Sequence, residues 1–165
     1  MQMQGHVADK PVNLELQLKS SNKTFDGTVK LNAQQVDIGQ VLSWPGLVEG
    51  LDAYSSDLTF NADLHGGDLK QILEQSVFRI NLSEGHWNLH NPANDRSRKL
   101  TFSTATLLAD TDNQVKLDLT GNIDDESIQL KLTSNRLSEF FSKQEKVYLD
   151  LTTTLNHSVI KLTGN

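Results

Sequence analysis

Few residues in the chain combine the type and the spacing that chemistry requires. His86 and His90 are four residues apart, a separation that would place two imidazoles on one face of a helix, where they could share a metal ion. The residues around them alternate like a strand, and four strand residues span about 13 Å. One ion cannot reach both rings over that distance, so we expect no metal site there.

Two further clusters have an ordinary structural interpretation. Asp124-Asp125-Glu126 is the densest acidic run, but it lacks the alternating ligand spacing of a calcium loop, so we interpret it as a solvated hairpin tip. Gly66-Gly67-Asp68 precedes a helix-like segment, but the Lys-Ser/Thr pair of a phosphate loop is missing and Asp68 would repel an anion. We interpret this glycine pair as the turn between a strand and a helix.

Composition excludes several classes of protein. The chain has 165 residues and no cysteine, so disulfides, thiolate metal sites and cysteine nucleophiles are absent. The 15 Lys and Arg residues against 21 Asp and Glu give a net charge of -6, which argues against a nucleic-acid partner. The Gly-x-Ser-x-Gly pattern of a nucleophile elbow does not occur. We therefore expect a protein that is not an enzyme and needs no cofactor.

Apolar and polar residues alternate along most of the chain, which predicts strands with one apolar and one polar face. The pattern is clear in residues 12–18, 58–64, 78–82, 100–108, 115–119, 128–132, 147–155 and 160–162. Strands of this kind belong to antiparallel sheets rather than to the doubly apolar core of a parallel α/β fold. The sequence predicts a mainly β protein with curved, largely antiparallel sheets, either an open trough or sandwich-like.

About three short segments have helical spacing instead. They cover residues 36–42, 69–73 and 137–141, and Asp37 and Asp68 are the predicted N-caps of the first two. Each follows a strand, so the combination of strand and helical turn forms a loose internal repeat. Turns are predicted at Asp26-Gly27, at Ser83-Glu84-Gly85 and within residues 120–126.

The whole chain, residues 1–165, is expected to form a single β-rich domain. The alternation begins at Val12 and still runs at Leu162, close to the two ends of the sequence. We therefore expect the domain to be a segment of a longer chain, so any export signal or membrane anchor would lie outside this sequence.

Four stretches carry a resemblance to a known family. The first stretch, residues 57–85, has the order strand, small-residue step, short helix, and strand closing on Gly85. The next two, residues 115–121 and 128–141, have the pattern of a hairpin followed by a helix. The fourth, residues 36–42, has the pattern of a helix that precedes them. Together they resemble the AsmA family, and the similar pattern covers residues 24–141. The resemblance rests on degenerate Leu, Gly and Asp patterns and brings no catalytic residues.

The resemblance implies an envelope protein of Gram-negative bacteria, periplasmic and anchored in the inner membrane. AsmA-like and TamB-like proteins are linked to outer-membrane biogenesis, and a lipid-conducting groove is the mechanism proposed for them. The expected partner is a phospholipid or another envelope lipid, with other envelope proteins as further candidates.

Apolar residues on the strands are the candidate lipid contacts if the sheets stay open. We expect lipid to meet one side of the strands at Leu58, Phe60, Leu64, Phe102, Leu117, Leu119, Leu130 and Leu132. The same residues would form an ordinary closed core in a β-sandwich. A β-sandwich adhesion or carbohydrate-binding module therefore remains the alternative function.

Overall fold

The computed structural model describes residues 2–7, 10–21, 24–43, 52–91, 96–111, 114–135, 148–156 and 158–164. Over these residues the prediction of a mainly β fold is confirmed. Ten strands and two short helices follow one another as β1 Gln2–Val7, β2 Lys10–Ser21, β3 Thr24–Asp37, α1 Ile38–Ser43, β4 Asp52–Gly66, α2 Leu69–Gln75, β5 Val77–Asn91, β6 Arg96–Ala109, β7 Val115–Ile123, β8 Glu126–Ser134, β9 Leu149–Leu155 and β10 Ser158–Gly164.

All ten strands lie in one open antiparallel sheet, in the order in which they occur in the chain. Extensive contacts join only consecutive strands, apart from those that α1 makes with β3 and β4 and α2 with β4. The sheet topology of the described residues contains no second sheet, so the open form is found and the sandwich-like form is not.

The two helices begin where the sequence predicts their caps. The side chain of Asp37 accepts a hydrogen bond from the Gln40 N–H at 3.0 Å, and that of Asp68 accepts one from the Gln71 N–H at 2.8 Å. Each bond satisfies one of the donors that the first helical turn leaves free. The third predicted helix, residues 137–141, lies outside the described residues.

The strand-to-helix turn at the glycine pair is also confirmed. Gly66 has a φ of +148°, a conformation that L side chains rarely adopt, and a Cβ there would lie 2.7 Å from the backbone nitrogen of Ile72. The chain therefore reverses into α2 directly after β4 because residue 66 carries no side chain.

Two of the three predicted turns are wrong. Asp26-Gly27 lies inside β3 and Ser83-Glu84-Gly85 inside β5, and all of these residues except Glu84 pair with a neighbouring strand. The third predicted turn, within residues 120–126, is confirmed. It consists of Asp124 and Asp125, which join β7 to β8 and have φ angles of 48° and 70°. Two consecutive left-handed residues match the hairpin turn that suits the twist of antiparallel strands.

Candidate functional site

One continuous line of apolar residues crosses the whole sheet. Each member lies directly opposite the next in the strand register, so all ten side chains project from the same face. We call this line the apolar row: Met3, Leu14, Leu31, Phe60, Ile80, Leu107, Leu117, Leu132, Leu151 and Leu162. We call the side of the sheet that carries it the apolar face.

A second line runs beside the apolar row on the same face. It consists of Val12, Ala33, Leu58, Leu82, Ala105, Leu119 and Leu130, each opposite its neighbour. Seven of the eight residues predicted to meet lipid belong to these two lines or continue their strands on this face. Phe60, Leu117 and Leu132 belong to the apolar row; Leu58, Leu119 and Leu130 belong to the second line; Leu64 lies four residues beyond Phe60 in β4.

The eighth predicted residue, Phe102, reaches the same face through a change in strand alternation. Phe102 and Ala105 are three residues apart in β6, so simple alternation would place them on opposite faces. They nevertheless pair with Gly121 and Leu119, which are two residues apart in β7 and therefore on the same face. The register shifts between Phe102 and Thr104, so both side chains point to the apolar face. The structure thus brings all eight residues together on one face.

The same change of alternation is aligned across four neighbouring strands. Gln35, Ser56, Glu84 and Ser103 lie beside one another in β3 to β6, and no register pair includes any of them. We call these four residues the irregular row. Gln35 and Glu84 have positive φ angles of 54° and 46°. The irregular row keeps apolar residues on one face along strands in which simple alternation would have turned them to the other.

Gly85 makes room for Phe102 next to the irregular row. A Cβ at position 85 would lie 2.2 Å from Cζ of Phe102 and 2.1 Å from the carbonyl oxygen of Tyr54. Phe102 is buried there in a core cluster with Leu100, Ala105, Leu119 and Ile128. Ile38, the first residue of α1, also packs against this cluster.

The opposite side of the sheet is polar along a matching line. It runs through Asn13, Asn32, Thr59, Asn81, Thr106, Asp118, Lys131, Thr152 and Lys161, each directly opposite the next. Side-chain hydrogen bonds of 3.1 Å link Asn81 to Thr59 and Thr106 to Asn81. This polar face suits water, whereas every side chain of the apolar row on the other face is half-buried or exposed.

The polar face also carries a shallow depression of about 610 Å³ beside the irregular row. Tyr54 and His86 stack there with their ring centroids 5.7 Å apart, next to Lys99, Thr101 and Asn122. The hydroxyls of Thr101 and Ser103 already donate to the carbonyl oxygens of Asn122 and Thr120. Two of the polar groups that line the depression are therefore already used within the sheet.

The residues considered for metal binding do not converge. His86 and His90 both belong to β5, and Asp124 and Asp125 form the tip of the β7–β8 hairpin, where Asp124 Oδ2 lies 3.6 Å from Arg98 Nε. Within the described part of the chain, no three His, Asp or Glu residues are placed to hold an ion, and no helix is long and apolar enough to span a bilayer.

Sequence reasoning identified only part of the apolar row. Leu31, Ile80, Leu107 and Leu151 belong to it as fully as Phe60 or Leu117 do, but alternation within a strand does not tell which residues of neighbouring strands lie opposite each other. The available signal was the predicted β7–β8 turn, because a two-residue turn at Asp124 and Asp125 places Leu117 opposite Leu132.

No protein-family model, curated protein or solved structure matches this chain. The resemblance to the AsmA family therefore stays a prediction.

Proposed function

We propose that the apolar face binds the acyl chains of envelope phospholipid and that the protein supports outer-membrane biogenesis without catalysing a reaction. The observation that carries this proposal is the apolar row, which runs unbroken through ten strands while the opposite face is polar. A two-sided sheet of this kind requires an apolar partner on one side, because exposed contiguous apolar surface usually marks a binding site.

The dimensions of the apolar row suit lipid. Neighbouring strands lie about 4.8 Å apart, so nine intervals give a path of about 43 Å. The hydrocarbon core of a bilayer, which holds two acyl chains end to end, is about 30 Å thick. The row is therefore longer than a single acyl chain and offers a chain several equivalent positions along the sheet.

The chemistry of the apolar face suits binding without recognition of a head group. Fully burying a methylene group contributes about 0.8 kcal/mol, so ten methylenes laid against one open face contribute at most about 8 kcal/mol before the cost of association. No charged residue interrupts the two apolar lines, so a chain could shift from strand to strand without crossing a polar barrier. A conduit needs this property, because tight binding at one position would prevent release.

The AsmA-like pattern over residues 24–141 supports the cellular location that we propose for the protein. A protein of this family would work in the periplasm of a Gram-negative bacterium, anchored in the inner membrane, with other envelope proteins as further partners. A carbohydrate-binding module would instead be expected to present a row of exposed aromatic side chains, and aromatic residues are only 6% of this chain.

The proposal is tested by placing a photo-crosslinking side chain at position 117 or 130 and expressing the protein in a Gram-negative periplasm. We expect lipid adducts at both positions. Position 129 is the matched control, because Gln129 is the exposed neighbour of Leu130 on the opposite face and should give none.

A charge on the apolar face provides the second test. Leu117→Asp should leave the circular dichroism spectrum unchanged, because the half-buried side chain keeps contact with water, and should lower the amount of co-purified lipid. Gln129→Asp should change neither quantity. If Leu117→Asp unfolds the protein as a buried unpaired carboxylate would, and no adduct forms at 117 or 130, the apolar face is a closed core and the proposal is wrong.

A further inference from the structure

The depression on the polar face has one wall made of two stacked rings. Tyr54 and His86 lie directly opposite each other in β4 and β5, and their ring planes differ by an angle of 26°. Because Tyr54 covers one face of the imidazole, the other face is turned towards β6, where Thr101 follows in the register. The depression therefore combines an aromatic wall with neighbouring polar groups, as ligand sites commonly do.

The floor of the depression consists of short polar side chains. Thr101, Ser103, Thr120 and Asn122 line it from β6 and β7, and all four are exposed. The hydroxyls of Thr101 and Ser103 donate their protons to backbone carbonyl oxygens of β7, so their oxygen lone pairs are what remains for a ligand. The floor thus offers hydrogen-bond acceptors, which suit a ligand edge that carries several O–H donors.

The charges around the depression do not match an ionic ligand. Among the described residues that line it, Lys99 and Glu84 carry opposite charges, so the site as a whole complements neither an anion nor a cation. A wholly apolar ligand does not fit either, because the hydroxyl and amide groups that it covered would lose their hydrogen bonds to water. A neutral ligand with an apolar face and a hydroxyl-bearing edge satisfies both conditions.

We propose that this depression binds a neutral saccharide. A pyranose ring has an apolar C–H face that packs against an aromatic ring, and the hydroxyls around its edge donate and accept hydrogen bonds. The imidazole of His86 receives the C–H face, while Thr101, Ser103 and Asn122 meet the edge. This single site of two half-buried rings differs from the row of exposed aromatic side chains of a carbohydrate-binding module. It lies on the face opposite the apolar row, so it does not depend on lipid binding.

Titration with chitotetraose, a neutral oligosaccharide, tests the proposal by nuclear magnetic resonance. We expect its addition to shift the backbone amide resonances of the β6 and β7 residues that form the floor of the depression. His86→Ala should weaken binding at least about tenfold, because the aromatic wall is lost. Trp87→Ala is the matched control and should leave the affinity unchanged, because Trp87 is the neighbouring aromatic residue and is 40% exposed on the opposite face.

A side chain that fills the depression gives a second test and leaves both rings in place. Asn122→Arg should abolish binding, whereas Asn32→Arg should not, because Asn32 is exposed on the same polar face but lies in β3, outside the depression. Both variants should keep the circular dichroism spectrum of the wild type. Unshifted resonances, shifts centred on Trp87, wild-type affinity in Asn122→Arg, or equal shifts with phosphate or tetra-alanine would overturn the proposal.

Discussion

Ser55 shows how a single polar side chain can hold the irregular row together. It is fully buried on the apolar face, and its Oγ lies 2.8 Å from the Asp57 carbonyl oxygen and 2.9 Å from that of Ser83. The Oγ also accepts a hydrogen bond of 3.2 Å from the Ser83 N–H. The hydroxyl thus joins β4 to β5 beside the irregular row, where Ser56 and Glu84 form no register pair.

Removal of this hydroxyl should therefore be costly. We expect Ser55→Ala to lower the free energy of unfolding by about 2 kcal/mol, because buried carbonyl and N–H groups lose a partner that water cannot replace. Urea denaturation provides the measurement. The control is Ser56→Ala, whose hydroxyl donates to the Glu84 carbonyl oxygen at an exposed position and should contribute less than about 1 kcal/mol. Equal effects of the two substitutions would contradict this role for Ser55.

The irregular row is also where sequence interpretation is wrong. Ser83-Glu84-Gly85 has the composition of a turn, but the chain continues through it as strand, with Ser83 and Gly85 paired and Glu84 left out of the pairing. Turn propensity is local, whereas here neighbouring strands on both sides hold the segment extended and residue 84 accommodates the change with a positive φ. A single sequence does not show that four strands would change their alternation side by side.

At the scale of elements, α2 depends on its ends more than on its length. It has only seven residues, too few to be stable alone. Asp68 caps its first turn, the Gly67 N–H donates to the Gln71 side chain at 2.8 Å, and the buried Ser76 ends it with a hydrogen bond from its N–H to the Ile72 carbonyl oxygen. These contacts lie within a few residues of one another, which explains why the sequence predicts this helix correctly.

The cap of α2 should account for a measurable part of the stability. Asp68→Ala should lower the free energy of unfolding by about 1 kcal/mol, because the Gln71 N–H loses its acceptor. Asp68→Asn keeps an acceptor at the same position and should change stability by only a few tenths of a kcal/mol. Thermal and chemical denaturation of the two variants would check the difference, and an unchanged Asp68→Ala protein would show that the cap contributes nothing.

At the scale of the whole molecule, stability should vary across the sheet. The buried core cluster lies in β6 to β8, whereas every residue of β10 is exposed. Because strands make extensive contacts only with their neighbours, an edge can open without disturbing the centre. We expect hydrogen exchange to be slowest at the amides of Phe102 and Leu119 and fastest in β10, with β9 between them. Equal protection throughout the sheet would indicate a single cooperative unit instead.

The sequence could not choose between an open sheet and a sandwich for a related reason. Val115, Leu117 and Leu119 alternate in the same way whether their apolar side meets a second sheet, a lipid or another protein. Local alternation predicts eight of the ten strands and their polarity pattern, but the partner of the apolar face depends on how distant strands are arranged. The same limit applies to the apolar row, whose members come from ten different strands.

The agreement between strand order and chain order has a consequence for how the polypeptide reaches this structure. Each strand finds its partner in the segment made just before it, so no strand has to wait for a distant part of the chain. Pairings that are local in sequence require little loop-closure entropy and favour rapid folding. A chain that emerges from one end can therefore add hairpins to a growing sheet one at a time, and each new strand becomes the template for the next.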